Sequence, residues 1–300
     1  MSSAISKPTS RDLLLMGVTA VIWASAFIAI KFVVVETGPL WLAAWRVAIG
    51  FFVLLPYAIW RGFIWPENTR IWLLIAVASL FNVVLPFFLI SWAEQTIDAG
   101  VTSLLMGTGP FLALFGSHLF TTDDKLTLPK FIAVIFGFAG VLTIVGVDAL
   151  AGLGGQTVWA QLAAVCGALC YTIAGLMVRR IDIPPIRLGC LVFGTGMTIL
   201  IIAAFTFDGP PNLQLSSSVL FALIYLGVFP TALGQILRFT LIKKVGYAAF
   251  ALALNLIPVI GISLGALLLG EVITPRTFIA LGLVLTGLFI ARLEPNKMRA

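Results

Sequence analysis

The stretch FIAVIFGFAGVLTI, from Phe131 to Ile144, decides the fold of this chain. It holds no charged residue, and the mostly apolar run around it covers residues 128–147, about the 20 residues that a membrane-spanning helix needs. The whole sequence has this character: 61% of its 300 residues are hydrophobic and only 10% are charged, where a soluble domain carries about 25%. Such a chain cannot cover a water-facing surface, so we expect an all-α integral membrane protein.

Breaks of proline, glycine and charge divide the chain into runs of this length. The connections between the runs are short and leave no room for a soluble domain. The runs do not alternate apolar and polar residues, as the strands of a membrane barrel would. We therefore predict ten transmembrane helices, at residues 12–33, 40–60, 71–92, 98–119, 128–147, 157–179, 186–207, 217–241, 247–269 and 275–292.

The basic residues test this count, because Lys and Arg concentrate in the cytoplasmic loops of membrane proteins. With a cytoplasmic N-terminus, 14 of the 18 Lys and Arg residues fall on the cytoplasmic face, and only Lys31 and Arg276 fall on the other. The remaining two, Arg46 and Arg238, lie within spans, and Arg238 is expected to extend its side chain to the cytoplasmic face. The positive charge therefore orients the chain with both termini in the cytoplasm, and it does not indicate nucleic-acid binding.

The opening stretch has a counterpart 147 residues later, FIALGLVLTGLFIA at residues 278–291. Nearly the same offset aligns Pro110 with Pro258. The chain thus divides into two repeats, residues 1–150 and 151–300, with five predicted helices each in one membrane domain. Since five is odd, the two repeats cross the membrane in opposite directions. This inverted-topology arrangement is typical of transporters whose site lies between the halves near the midplane.

Three segments carry a resemblance to a known family: WASAFIAIK at 23–31, PLWLAAWR at 39–46 and LIPVIGISLGALLLGEVITPRTFIALGLVLTG at 256–287. With these motifs in order along nearly the whole chain, the sequence resembles the drug/metabolite transporter superfamily, and within it the ten-helix EamA-type exporters. The resemblance implies export of amino acids or related metabolites from the bacterial cytoplasm. It also implies a central cavity built largely from the first, third, fourth, sixth, eighth and ninth helices.

Prolines and glycines inside the spans indicate where helices break. The repeat places Pro110 and Pro258 at matching positions on helices four and nine, and broken helices at corresponding places in two halves point to a transport site. The alternative is that these prolines kink the helices only to improve packing. The candidate break or gating positions are Pro86, Gly107, Gly109, Pro110, Pro230 and Pro258.

Polar and amphipathic side chains near the middle of the spans are the candidate substrate contacts. An amide in hydrocarbon must find partners, so Asn82, Gln235 and Asn255 are expected to face the interior, either as ligands or as interhelical hydrogen bonds. Trp23 and Tyr171 are partners in the repeat, and they either stack on the substrate or pack in the core. The full candidate set is Trp23, Ser25, Asn82, Ser103, Met106, Tyr171, Thr172, Gln235 and Asn255.

The acidic residues all fall in loops or at predicted helix ends. A proton-coupled carrier usually has an ionisable group within the membrane, and a cationic substrate needs a buried negative partner. We therefore expect a neutral or zwitterionic substrate and weak or absent proton coupling. Arg46 lies about two turns into helix two, where we expect a structural ion pair with Glu36 or Glu94. The alternatives for Arg46 are an outer gate or a contact with a substrate carboxylate.

The sequence thus predicts a secondary transporter that exports small neutral or zwitterionic amphipathic metabolites by alternating access, with amino acids as the leading case. Multidrug or toxic-metabolite efflux is the alternative. A phosphorylated-sugar carrier would need several basic residues in the cavity, and a membrane enzyme would need clustered catalytic groups, so both are less favoured. No cofactor or metal is expected, because the three cysteines lie in apolar runs. The expected partners are the substrate and the lipid bilayer of a bacterial inner membrane, and a monomer is expected to suffice.

Overall fold

The computed structural model describes residues 8–120, 127–151, 155–178, 181–246, 250 and 255–292. Within these ranges every regular element is a helix. The helices are numbered α1 to α10 along the chain, and the fourth has two pieces, α4a and α4b. Their bounds are α1 Ser10–Thr37, α2 Pro39–Trp60, α3 Thr69–Ala93, α4a Ala99–Met106, α4b Gly109–Phe120, α5 Leu128–Ala151, α6 Gln156–Val178, α7 Pro185–Phe207, α8 Ser217–Val245, α9 Leu256–Leu269 and α10 Pro275–Arg292.

Seven of the described helices are long and apolar enough to cross a membrane. The fourth, ninth and tenth helices contribute shorter apolar segments within the described residues. Each described helix falls on one of the ten predicted runs, so the predicted all-α membrane fold is confirmed for the described part of the chain. The beginning of the ninth predicted run, residues 247–254, lies outside the described residues apart from Phe250.

Local sequence fixes both ends of α1. At its start, Thr9 and Asp12 form a reciprocal capping box, which satisfies two backbone N–H groups that have no partner within the helix. At its end, Gly38 has a φ of 72°, a conformation that residues with a side chain rarely adopt. Pro39 then begins α2, where its fixed φ suits the first helical turn. The result is a tight connection between α1 and α2.

The two halves pack as related copies. α2 packs against α7, α4a against α9 and α5 against α10, and the members of each pair are counterparts in the two repeats. The remaining helices exchange partners in the same way: α1 packs on α8, while its counterpart α6 packs on α3, the counterpart of α8. This pattern is that of a two-fold pseudosymmetric pair, as expected for inverted repeats.

α3 and α8 each contain a π-helical segment, at Leu80–Val84 and Gly227–Leu233. The two segments begin at residues 80 and 227, the 147-residue offset of the sequence repeat. The prediction that Pro86 and Pro230 interrupt these helices is therefore corrected, because both helices continue through their prolines. In α3 the π-helical segment ends just before Pro86, and in α8 it contains Pro230. π-Helical turns alter the regular hydrogen-bond ladder and are frequent at functional sites.

The predicted break in the fourth helix is present. α4a ends at Met106, and α4b begins at Gly109, with Pro110 at its second position, where a proline is tolerated. Pro258 of α9 packs against the break, because an added Cβ at Gly107 would lie 2.5 Å from the Pro258 Cγ. Glycine is therefore needed at this place for α4 and α9 to approach so closely.

Large apolar side chains cover the outside of the bundle. Leu14, Phe52, Trp60, Phe221 and Leu267 are all exposed. A soluble monomer rarely exposes a continuous apolar surface of this kind, whereas the acyl chains of a bilayer solvate it. The exterior therefore agrees with the membrane class that the composition predicts.

Candidate functional site

A cavity of about 120 Å³ lies between the two halves of the bundle. Roughly 10–15 Å³ on this measure admits one water, so the cavity has room for a small organic molecule. Its walls come from α1, α3, α4, α6, α8 and α9, the six helices that the family resemblance implies, with Arg46 added from α2 and Phe250 from the segment before α9. The break in α4 and the π-helical segment of α8 both open onto this space.

Ten of the predicted positions line the cavity, and eight do not. The ten are the candidate contacts Trp23, Met106, Tyr171, Thr172 and Gln235, the break positions Gly107, Gly109, Pro110 and Pro230, and Arg46. The eight outside its lining are Ser25, Asn82, Ser103, Asn255, Pro86, Pro258, Glu36 and Glu94. The predicted break in the fourth helix and five of the nine candidate contacts therefore face one space.

Of the polar candidates that do not line the cavity, the two serines form hydrogen bonds within the bundle. Ser25 Oγ lies 2.6 Å from the hydroxyl of Tyr225 on α8. Ser103 donates to the Gly100 carbonyl within its own helix. Asn255 is buried at the turn before α9, and its Oδ1 has no partner within the described residues. The hydroxyl groups of the two serines are thus engaged in hydrogen bonds within the bundle.

Trp23 contacts the backbone at the π-helical segment of α8. Its Nε1 donates to the Pro230 carbonyl at 3.0 Å, and its ring meets the Phe250 ring edge-on with centroids 6.0 Å apart. Gly234 leaves room for the indole, because a Cβ there would collide with Nε1. The bond satisfies a carbonyl in the altered part of the α8 ladder. Trp23 thus has a structural partner as well as a surface on the cavity.

Arg46 is only 4% exposed and has partners other than those predicted. Its Nε donates to Thr231 Oγ1 at 3.1 Å, and its Cζ lies 3.8 Å from the centre of the Phe87 ring. The predicted ion pair is not formed, since neither Glu36 nor Glu94 bonds to the guanidinium in the described part of the chain. The two terminal nitrogens of Arg46 have no protein partner among the described residues, and the residue lines the cavity.

Two carboxylates instead join the halves by binding helix N-termini at the predicted outer face. Glu36 accepts hydrogen bonds from the backbone N–H and the hydroxyl of Ser216, at the start of α8. Glu271, between α9 and α10, accepts from the backbone N–H groups of Ala99 and Gly100 at 2.8 and 2.9 Å, at the start of α4a. A negative charge is favourable at a helix N-terminus. The engagement of Glu36 with α8 explains why it is not paired with an arginine.

Arg238 lines the cavity, and the prediction that it extends to the cytoplasmic face is wrong. It is 3% exposed and does not extend to the cytoplasmic face. Its guanidinium donates to Asn82 Oδ1 and, at 3.0 Å, to the Tyr171 carbonyl, and its Cζ lies 5.3 Å from the centre of the Tyr171 ring. α8 continues to Val245, about two turns further. Asn82, a predicted substrate contact, therefore holds Arg238 in place.

The cavity combines apolar walls with positively charged groups. Phe27 and Ile30 of α1, Ile90 of α3 and Ile257 of α9 contribute apolar surface. Arg46 and Arg238 also line the cavity, and its described lining residues include no carboxylate. Such a space can hold a small molecule that has an apolar body and an anionic group.

Two related helical halves around a central, partly polar cavity define a multi-pass membrane transporter. The EamA-like transporter family matches the chain twice, over residues 11–146 and 158–293. The chain therefore belongs to the EamA-like transporter family, within the drug/metabolite transporter superfamily, and the resemblance noted from its motifs is confirmed.

Relatives and a solved structure cover nearly the whole chain. The transporter YoaV of Bacillus subtilis is 24% identical over 285 residues, covering 92% of this chain and 95% of YoaV. The inner membrane transporter YedA of Escherichia coli is 23% identical over 275 residues, covering 91% of this chain and 88% of YedA. A solved crystal structure superposes with a TM-score of 0.70 at 19% identity, covering 96% of this chain and all of that chain. The last similarity concerns the fold alone.

Proposed function

We propose that this transporter exports small neutral or zwitterionic amphipathic metabolites, with amino acids as the leading case, by alternating access of its two halves. One observation supports this most directly. The cavity between the halves has apolar walls and a guanidinium with two terminal nitrogens that have no protein partner in the described residues, and no described lining residue is acidic.

Arg46 is suited to hold a substrate carboxylate. A guanidinium binds a carboxylate through two parallel N–H···O hydrogen bonds. Thr231 fixes Arg46 at Nε and Phe87 packs on the face of the guanidinium, so the terminal nitrogens remain for a ligand. Arg238, in contrast, already donates to Asn82 and to a backbone carbonyl. We therefore assign the carboxylate to Arg46 and the apolar part of the substrate to the aromatic and aliphatic walls.

The charge of the cavity disfavours cationic substrates. A molecule with a net positive charge would meet two guanidinium groups and no carboxylate among the described lining residues, and like charges repel strongly in a medium of low dielectric constant. The described lining residues also include no acidic group that could relay a proton. We propose that the gradient of the substrate itself suffices to drive export.

The membrane placement is proposed on two grounds. The loop charges favour cytoplasmic termini, and the related YedA is named as an inner membrane transporter. We therefore propose the inner membrane of a bacterium. The break in α4 and the two π-helical segments are the proposed places where the halves bend, because the regular backbone ladder is altered there. One chain encloses the cavity, so we propose that a monomer is functional.

Exchange in liposomes tests this proposal. Vesicles that hold the purified protein and an unlabelled neutral amino acid should take up the labelled amino acid without a proton gradient. The corresponding amine, which lacks the carboxylate, should compete poorly. Arg46→Gln should lose most of the exchange, whereas Arg61→Gln, which changes an exposed arginine after α2, should keep it. Equal competition by the amine, or no exchange of any amino acid, would contradict the proposal.

A further inference from the structure

Glu94 is a fully buried acid that directly follows the last residue of α3, with 0% of its surface exposed. Neither of its carboxyl oxygens has a hydrogen-bond partner among the residues that the structure describes. The contrast with Glu36 and Glu271 is clear, because each of those carboxylates accepts two hydrogen bonds. An ionised carboxylate that has lost its water and has no hydrogen bond is costly. A protonated carboxyl at Glu94 avoids most of this cost.

The charged groups around Glu94 come from three elements. Lys31 of α1, Arg46 of α2 and Glu271 from the α9–α10 connection all interact with it electrostatically. Lys31 does not compensate the carboxylate directly, because its ammonium donates to the backbone carbonyls of Glu94 and Ile97. Burial raises the pKa of Glu94 well above its usual range, Lys31 and Arg46 oppose the rise, and Glu271 adds to it.

The remaining neighbours of this region add little charge. α6 packs against the second half of α3 and carries no acidic or basic residue between Gln156 and Val178. α4a, which follows the turn, has no charged residue within Ala99–Met106, and Asp98 precedes it as a further acid. Burial of Glu94 is therefore the dominant influence on its protonation.

We propose that Glu94 is a proton-binding site: it carries a proton in the conformation described here and releases it when the two halves rearrange. This inference rests on the proposed function, since alternating access is the movement that rearranges the halves. Both halves contribute charged groups that act on Glu94, because Lys31 and Arg46 belong to the first and Glu271 to the second. Glu271 also bonds to Ala99, so a separation of the halves changes the surroundings of the turn that holds Glu94.

The direction of the pH effect follows from linkage. A carboxyl with a higher pKa in one conformation binds more protons there, so low pH favours that conformation and the preference is lost as pH rises through the raised pKa. The conformation with buried Glu94 is thus favoured at low pH. The rate of export then depends on pH without requiring a proton gradient. This is consistent with weak proton coupling, and it makes the conformational change a step that pH regulates.

Infrared spectroscopy tests the proton directly and needs no substrate. The purified protein at neutral pH should show the C=O stretching band of a protonated carboxylic acid, and the band should disappear in Glu94→Gln. Glu67→Gln, which changes an exposed acid, should keep the band. If Glu94→Gln does not fold, Glu94→Asp keeps the acid and should shift the band. A spectrum that is the same in wild type and in the Glu94 variants would overturn the proposal.

Exchange measured across a pH series, with equal pH on both sides of the vesicle, tests the consequence. Wild-type exchange should change with pH as Glu94 titrates, and Glu94→Gln should exchange substrate with that pH dependence lost. An unchanged pH profile in Glu94→Gln would overturn the proposed role of Glu94. If no amino acid is exchanged at any pH, the proposed function fails, and the infrared measurement still decides whether Glu94 binds a proton.

Discussion

Replacing Arg46 with glutamine tests the carboxylate site quantitatively. The change removes the positive charge and the terminal N–H donors of a side chain that lines the cavity and is only 4% exposed. A hydrogen bond to a charged group contributes about 1.5–3 kcal/mol, and about 1.4 kcal/mol changes a binding constant tenfold. We therefore expect the Kd for a neutral amino acid to rise roughly 10- to 150-fold. Arg46→Lys should give a smaller rise, because lysine keeps the charge without the planar fork.

Binding is measured on the purified protein in detergent by titration calorimetry. Thermal unfolding of each variant is recorded in parallel, because Arg46→Gln also removes the donor to Thr231 and the contact with Phe87. Arg61→Gln is the matched control and should leave the Kd unchanged. If Arg46→Gln is folded and binds the amino acid with wild-type affinity, the assignment of the substrate carboxylate to Arg46 is wrong.

Two further predictions concern stability and are measured by thermal unfolding. Gly107→Ala should lower the free energy of unfolding by about 1–3 kcal/mol, because the new Cβ lies 2.5 Å from Pro258. Gly109→Ala should be tolerated, because its Cβ would have no described atom within 4 Å. Equal stability of the two variants would contradict the close contact of α4 with α9. Trp23→Phe keeps a ring but leaves the Pro230 carbonyl without its donor, so we expect a loss of about 1–3 kcal/mol, and an unchanged unfolding temperature would refute this.

The positions of the helices could be predicted because length and polar breaks determine them. The predicted run 40–60 became α2, Pro39–Trp60, since Gly38 and Pro39 mark its start in the sequence itself. The repeat was equally readable, and it placed Pro110 and Pro258 at matching positions on the fourth and ninth helices. These features depend on residues near one another in the chain or on a regular offset between the halves.

The sequence did not indicate features that depend on tertiary contact. The π-helical segment Leu80–Val84 has the same apolar pattern as an ordinary helix, so no periodicity distinguishes it. Arg238 lies about two turns before the end of α8, which favours a side chain extended to the cytoplasmic face, but its partner Asn82 is 156 residues away in sequence. The burial of Glu94 could not be predicted for the same reason, because it depends on how the helices pack around the end of α3.

A structure of the transporter with a bound neutral amino acid is the most direct test of the central claim. The substrate should lie in the cavity between the two halves, with its carboxylate within hydrogen-bond distance of the terminal nitrogens of Arg46 and its side chain against Ile90 and Ile257. A substrate bound outside this cavity, or one whose carboxylate points away from Arg46, would contradict the claim.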